Sequence, residues 1–201
     1  MTVQIRSATA ERVPAIAAML GRAFRDDPIV RWPLLPTRDP AGQMVRYFSF
    51  LDEVLAPLGL LWEAGDAAGA AVWIPPGTRL EDVDAASRPG IHTVTDPEKH
   101  DALWDWIDSR IPPEPLWFLD HIGVEPSAQG HGIGSALVEL GLERARRDGI
   151  DAFLETGTTG NVPYYERLGF RVVDEGDVPG GGPHVWFMRF GVERSRPRFP
   201  R

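Results

Sequence analysis

The sequence predicts an α/β fold in a single domain, and three observations carry that prediction. The chain has 201 residues, enough for one sizeable core. Strand-like and helix-like segments interleave along it without forming a parallel repeat. The apolar segment Leu116–Val124 also runs through a glycine-rich turn into an amphipathic helix, the order expected where a strand feeds a packed helix.

Val3 to Ser7 alternates apolar and polar residues like a short strand. Thr9 can cap a helix from about Ala10, with Val13, Ile16, Ala17, Leu20 and Phe24 at helical spacing and Pro14 in its early turns, where proline is tolerated. Asp26 to Pro40 reads as a proline-broken loop, and Gln43 to Leu55 as a second helix. Leu60 to Glu63 and Ala70 to Ile74 read as paired strands, ended by Pro75 and Pro76, which cannot donate a ladder bond. Thr78 to Pro97 carries few apolar residues and reads as an irregular connection or short helix. Glu98 to Ser109 is helical, with Leu103, Trp106 and Ile107 on one side.

The helix after the glycine turn spans about Gly132 to Arg147, with Ile133, Ala136, Leu137 and Leu140 facing inward and Gly149 as its stop. Then come a strand at Asp151–Glu155, a short helix at Val162–Leu168, and a strand from Phe170 to Val173. A turn-rich Gly176–Pro183 leads to a last strand at Val185–Phe190. Residues 1–192 form the predicted domain. Residues 193–201, with Arg194, Arg196, Arg198 and Arg201, read as a disordered basic tail.

Apolar content of 43% and charged content of 25% are those of a globular protein. A net charge of -8 argues against a nucleic-acid partner and fits solubility first, a basic substrate second. The chain has no cysteine, which removes disulfides, thiolate nucleophiles and Cys-ligated zinc. No His/Asp/Glu grouping has metal-ligand spacing, so no metal is expected. No apolar run approaches the ~20 residues of a membrane span. Met1–Arg6 lacks signal-peptide character, so the expectation is a cytoplasmic protein with no membrane partner.

The turn Gln129–Ser135 contains Gln129, Gly130, His131, Gly132, Ile133 and Gly134 in a Q-x-x-G-x-G pattern. Glycine permits close backbone approach, and the first N–H groups of a helix lack intrahelical partners, so the turn suits a pyrophosphate. A P-loop would need a Lys that is absent here. Three readings remain on the loop alone: acyl-CoA binding, a structural turn, and a dinucleotide fingerprint with Asp151 or Glu155 as its acid.

Asn161–Phe170 changes the balance, because Asn161 is followed by Tyr165-x-x-x-Gly169-Phe170. Together with the strand and the Gln-Gly turn, this resembles the GCN5-related N-acetyltransferases (GNAT). Glu114–Leu119, Phe153–Thr156 and Pro183–Met188 are similar to the puromycin N-acetyltransferase-like branch, as are Ala71–Pro76 and Ile5–Thr9. The likeness is strongest from Glu114 to Met188 and loose from Arg25 to Lys99.

The resemblance implies a mixed, splayed β-sheet flanked by helices on both faces. It implies acetyl-CoA as co-substrate, a small-molecule amine acceptor, and direct attack in a ternary complex. Dimers are common in the family, so the resemblance allows a homodimer without fixing the oligomeric state. Backbone groups of Ile122, Gly123 and Val124 would hold the acyl arm, and Gly130–Ser135 the pyrophosphate. Tyr164 would join the cofactor side. Tyr165 would protonate the leaving thiolate, with a phenol whose ordinary pKa is about 10; packing in the core is its other reading. Asn161 stands closer to Tyr165 than is usual in the family, leaving two roles open: holding pantetheine or capping the short helix.

Candidate bases are Asp120, His121 and Glu155. Strand alternation sends Asp120 and His121 to opposite faces, so at most one meets the cleft, with Asp120 on the side of Phe118 and Ile122. His121 has the more suitable ordinary pKa, about 6.5. His184 is a further candidate near the acceptor. Trp32, in the loop after the first helix, is the aromatic expected to line the acceptor site; Tyr47, Phe48 and Trp104 are alternatives, while Trp62 and Trp73 suit the core. Two other classes stay open: a non-catalytic acyl-CoA-binding or sensing module, and a dinucleotide-dependent oxidoreductase.

Overall fold

The computed structural model describes residues 3–78 and 80–192, and among these described residues seven strands form one sheet in the order β1-β2-β3-β4-β5-β7-β6. They are β1 (Ile5–Ser7), β2 (Leu61–Ala64), β3 (Gly69–Ile74), β4 (Trp117–Val124), β5 (Ala152–Thr156), β6 (Arg171–Asp177) and β7 (His184–Phe190). The helices are α1 (Val13–Ala23), α2 (Pro28–Arg31), α3 (Pro40–Leu55), α4 (Leu80–Ile91), α5 (Pro97–Asp108), α6 (Ile133–Asp148) and α7 (Val162–Arg167). All neighbouring pairs are antiparallel except β4–β5. The predicted basic tail, 193–201, lies outside the described residues.

Helices cover both faces of this mixed sheet. One core holds Ile16, Leu20 and Phe48 from α1 and α3, Leu103 from α5, and Phe118, Phe153 and Phe187 from the strands. The other packs Leu137 and Leu142 of α6 against Trp73, Leu119, Leu154 and Phe170. In this second core the Trp73 indole donates to the Leu137 carbonyl at 3.0 Å, and a Cβ on Gly141 would overlap the indole.

Two segments differ from the sequence expectation, and a third takes one of the two forms expected of it. Thr78–Pro97 contains α4, whose buried Val83, Ser87 and Ile91 recur every fourth residue. Only two of these are apolar, too few for a clear period. Packing stabilises the helix instead: a Cβ on Gly90 would lie 2.5 Å from the Phe50 ring of α3. The loop after α1 contains α2, started by Asp27, whose carboxylate accepts from the N–H groups of Ile29 and Val30. β6 runs on to Asp177 as an exposed, bulged edge strand, so its polar residues masked it. The first helix begins where expected, as a 3-10 turn over Ala10–Arg12 leading into α1, but the Thr9 side chain makes no cap.

The site depends on how β4 leaves β5. The two pair only from Trp117–Ala152 to Leu119–Leu154, and β4 then continues to Val124 with β3 as its partner. Past Leu119 one edge of β4 is open, so N–H and C=O groups on that edge face a widening gap. This is the splay that the family resemblance implied.

A bulge lies at the same point. Val72 pairs with His121 and Trp73 with Leu119, leaving Asp120 as an extra residue. The faces of β4 therefore switch across it. Trp117 and Leu119 join the α6 core, whereas His121 contacts Phe48 of α3. Ile122 now joins the α6 side, and Gly123 meets α1, where a Cβ would lie 2.6 Å from Leu20. Simple alternation put Asp120 with Phe118 and Ile122; it holds for Phe118, which lines a cavity with Asp120, and fails for Ile122 because of this one inserted residue.

Candidate active site

Two spaces open in the splay. A groove of about 480 Å³ runs beside the glycine turn, lined by Ile122–Val124, Gln129, Gly130, Gly132–Ser135, Asn161, Tyr164 and Tyr165. An inner cavity of about 90 Å³ is lined by Asp120, His121, Ile122, Glu155, Asn161 and Tyr165, with Asp27 from α2 and Phe24, Tyr47, Phe48 and Trp104 from the helices above. Ile122, Asn161 and Tyr165 line both, so groove and cavity meet at them.

The turn has the backbone that its glycines foretold. Gly130 and Gly132 take φ of +78° and +82°, a region in which other residues are strained. Gly132 heads α6 with no side chain capping the first turn, so the N–H groups there remain available. Gln129 donates from Nε2 to the Val124 carbonyl at 3.2 Å, tying the turn to the end of β4. His131 instead turns out to solvent with Nδ1 2.8 Å from the Gln129 carbonyl oxygen, and its side chain does not line the groove. Gly149, at φ +67°, ends α6 as expected.

Tyr164 and Tyr165 sit on α7. The Tyr164 hydroxyl lies 3.5 Å from Ser135 Oγ, and the space above Gly134 is limited by that same hydroxyl. Tyr165 is buried, and burial raises its phenol well above the ordinary value, so it keeps its proton. Asn161 does not cap α7; it donates from Nδ2 to Thr156 Oγ1 at 3.1 Å and lines both spaces. The capping alternative is thereby removed.

Asp120 and His121 both line the cavity, contrary to alternation, because the bulge turns them the same way. His121 Nδ1 is 2.7 Å from Asp120 Oδ2, and Nε2 is 3.1 Å from Asp52 Oδ1, an ion-pair contact off the line of a hydrogen bond. Asp52, from α3, is fully buried. Burial opposes a charge on His121, but Asp120 and Asp52 outweigh it and push its pKa up to about 10. Burial raises the Asp52 carboxyl, against the pull of His121. Two carboxylates thus share one imidazolium. A cationic His121 has no lone pair to accept a proton, so its raised pKa disfavours it as the base.

Glu155 is driven well above the carboxylate range by burial and then by the Asp120 charge, and its Oε2 has no partner. Burial thus favours its neutral form. Burial also raises Asp27, against its backbone hydrogen bonds. Asp120 lines the cavity with 21% of its side chain exposed, against 6% for His121, and is the more accessible of the pair.

Trp32 and His184 are not brought to either space. Trp32 packs on the α1–α3 side beneath Lys99, and His184 is held by Asp177 at 2.7 Å against Trp186. Trp104 of α5, with Tyr47 and Phe48, takes the expected aromatic place, while Trp62 and Trp73 pack on the α6 side. Asp52 and Asp27 escaped the sequence reading. Asp27 had a local signal, an Asp before a Pro at a helix start; Asp52 had none. His92, His100 and Asp101 also converge, with His92 Nε2 and His100 Nδ1 at 2.9 and 3.2 Å from Asp101 Oδ1, a grouping the spacing did not suggest. Among the described residues no helix is long and apolar enough to cross a membrane.

Comparison with known proteins agrees with this geometry. Residues 90–170 match the acetyltransferase (GNAT) family. An uncharacterized N-acetyltransferase of Schizosaccharomyces pombe is 27% identical over 171 residues, covering 77% of this chain and 68% of that protein. A mycothiol acetyltransferase of Mycolicibacterium gilvum is 33% identical over 118 residues, and the match spans 51% of this chain but 39% of that longer protein. Among solved structures, a Corynebacterium glutamicum protein described as histone acetyltransferase HPA2 and related acetyltransferase superposes with a TM-score of 0.71. It shares 24% identity, with 97% of this chain and 99% of that one covered. The splayed strand, glycine turn and helix are therefore those of the GNAT acetyltransferase fold, and this chain is built on it.

Proposed function

We infer that the chain transfers an acetyl group from acetyl-CoA to the amine of a small-molecule acceptor, by direct attack in a ternary complex. One observation carries the reading. The open edge of β4 joins a groove with free helix N–H groups to a small acidic, aromatic cavity, and Tyr165 stands where they meet. Pyrophosphate fits the turn, the acyl arm fits the edge at Ile122–Val124, and an ammonium fits the cavity beside Asp120.

The protons balance with the groups present. Asp120 takes one proton from the acceptor ammonium, freeing the nitrogen lone pair. The nitrogen bonds to the thioester carbon while a β4 N–H donates to the carbonyl oxygen. As the C–S bond breaks, the thiolate takes the Tyr165 proton, and the second amine proton restores Tyr165. His121 holds Asp120 in place from the buried side. Tyr165 is a stronger candidate for proton donor than for base because it stays protonated. No step requires a metal or a covalent enzyme intermediate.

Calorimetric titration with acetyl-CoA, with CoA and NADH as comparators, tests the donor. Saturable binding of acetyl-CoA with no response to NADH supports the reading. Binding without CoA release in the presence of amines would instead favour a sensing module. The acceptor screen includes puromycin, because Glu114–Met188 resembles the puromycin N-acetyltransferase-like branch.

A further inference from the structure

A second cavity, of about 50 Å³, adjoins the first and shares Tyr47, Leu51, Trp104 and Asp120 with it. That is several times the roughly 10–15 Å³ needed by one water-sized group. We propose that this cavity is a distal acceptor subsite for a second cationic group, so that the preferred substrate is a diamine or longer polyamine acetylated at the end nearest Asp120. The proposal rests on the acetyl-transfer reading above.

Its lining is rich in acceptors. Asp84, Asp108 and Asp120 contribute carboxylates, against a single guanidinium, that of Arg88. The Nη atoms of Arg88 face Asp84 at 3.8 Å and Asp101 at 3.9 Å, while its Nε is buried without a hydrogen-bond partner. Asp108 has no ion-pair partner among the described residues. Partial desolvation first, and then the charges of Asp84, Asp105 and Asp120, push its pKa up to about 6. A carboxylate crowded by like charges is stabilised by any cation that arrives.

His100 supplies the independent observation. It lines the same cavity, is 5% exposed, and has Nδ1 3.2 Å from Asp101, while Nε2 is buried with no partner. Burial lowers its pKa, so the neutral ring donates from Nδ1–H to Asp101 and leaves a lone pair on Nε2. An orphaned buried acceptor is costly unless a donor reaches it. An ammonium provides several N–H donors and a positive charge for the carboxylates. Trp104 and Tyr47 form the aromatic wall between the two cavities. A neutral distal group would leave the Asp108 carboxylate without a counter-ion.

The test compares kcat/KM for linear diamines of three to six carbons with monoamines of the same lengths, at saturating acetyl-CoA. One diamine is expected to exceed its monoamine by about tenfold or more, mainly through KM, the size of one hydrogen-bonded charge contact. In Asp108→Asn that ratio should fall by about tenfold, and rising salt should lower it in the wild type. Equal kcat/KM for diamine and monoamine at every length would overturn the proposal while leaving acetyl transfer intact. Absence of CoA release with any amine would overturn the acetyl-transfer reading, and the distal subsite with it.

Discussion

Replacing His121 with asparagine tests the charge state on which the choice of Asp120 as base depends. The imidazolium lies 2.7 Å from Asp120 and 3.1 Å from the fully buried Asp52. Removing one partner of a buried ion pair costs roughly 3–5 kcal/mol, because the remaining charge has neither solvent nor counter-ion. Asp52 can relieve part of this by taking up a proton, so the lower end, about 3 kcal/mol, is expected near neutral pH. The sign with pH follows from His121, whose pKa rises on folding from 6.5 to about 10. Its contribution is fully present below pH 6.5 and is lost as pH climbs through about 10. Urea unfolding of wild type and variant at points from pH 6.5 upward should show a stability gap that closes at the alkaline end. A gap that stays constant over this window, or a variant as stable as wild type at pH 6.5, would refute the cationic His121.

Tyr165→Phe should lower kcat by roughly 10²–10⁴-fold while leaving the calorimetric Kd for acetyl-CoA unchanged; an unaltered kcat removes the hydroxyl from proton transfer. Gly132→Ala should weaken acetyl-CoA binding, because φ is +82° and the cost of about 1 kcal/mol is backbone strain in open space. An unchanged Kd would exclude the turn from binding. Gly141→Ala, which helix propensity alone would make stabilising by about 1 kcal/mol, should lower Tm, since the new Cβ overlaps the Trp73 indole and overpacking costs roughly 1–3 kcal/mol. A raised Tm would contradict the packing of α6 on β3.

Much of the glycine-turn side was legible because its causes are local. Gly130 and Gly132 adopt positive φ for reasons contained in their own backbone, and the free N–H groups at the start of α6 belong to any helix end. The place of Tyr165 was legible through a motif that spans only Asn161 to Phe170. The acceptor side was not. Trp32 and Trp104 are both aromatics near helices, and the chain alone offers no way to tell which is aimed at the cleft.

The sequence by itself determined the order of elements, the glycine turn, the helix that follows, and the absence of cysteine chemistry. Tertiary structure decided which titratable groups meet. Asp52 reaches His121 from α3, and Asp108 and His100 reach the distal cavity from α5, contacts between residues far apart in the chain. It also decided the faces of Asp120 and His121. The two-residue period of a strand is local, but an extra residue shows only when β3 pairs across it, and that mismatch at Asp120 turned a predicted either-or into a coupled pair.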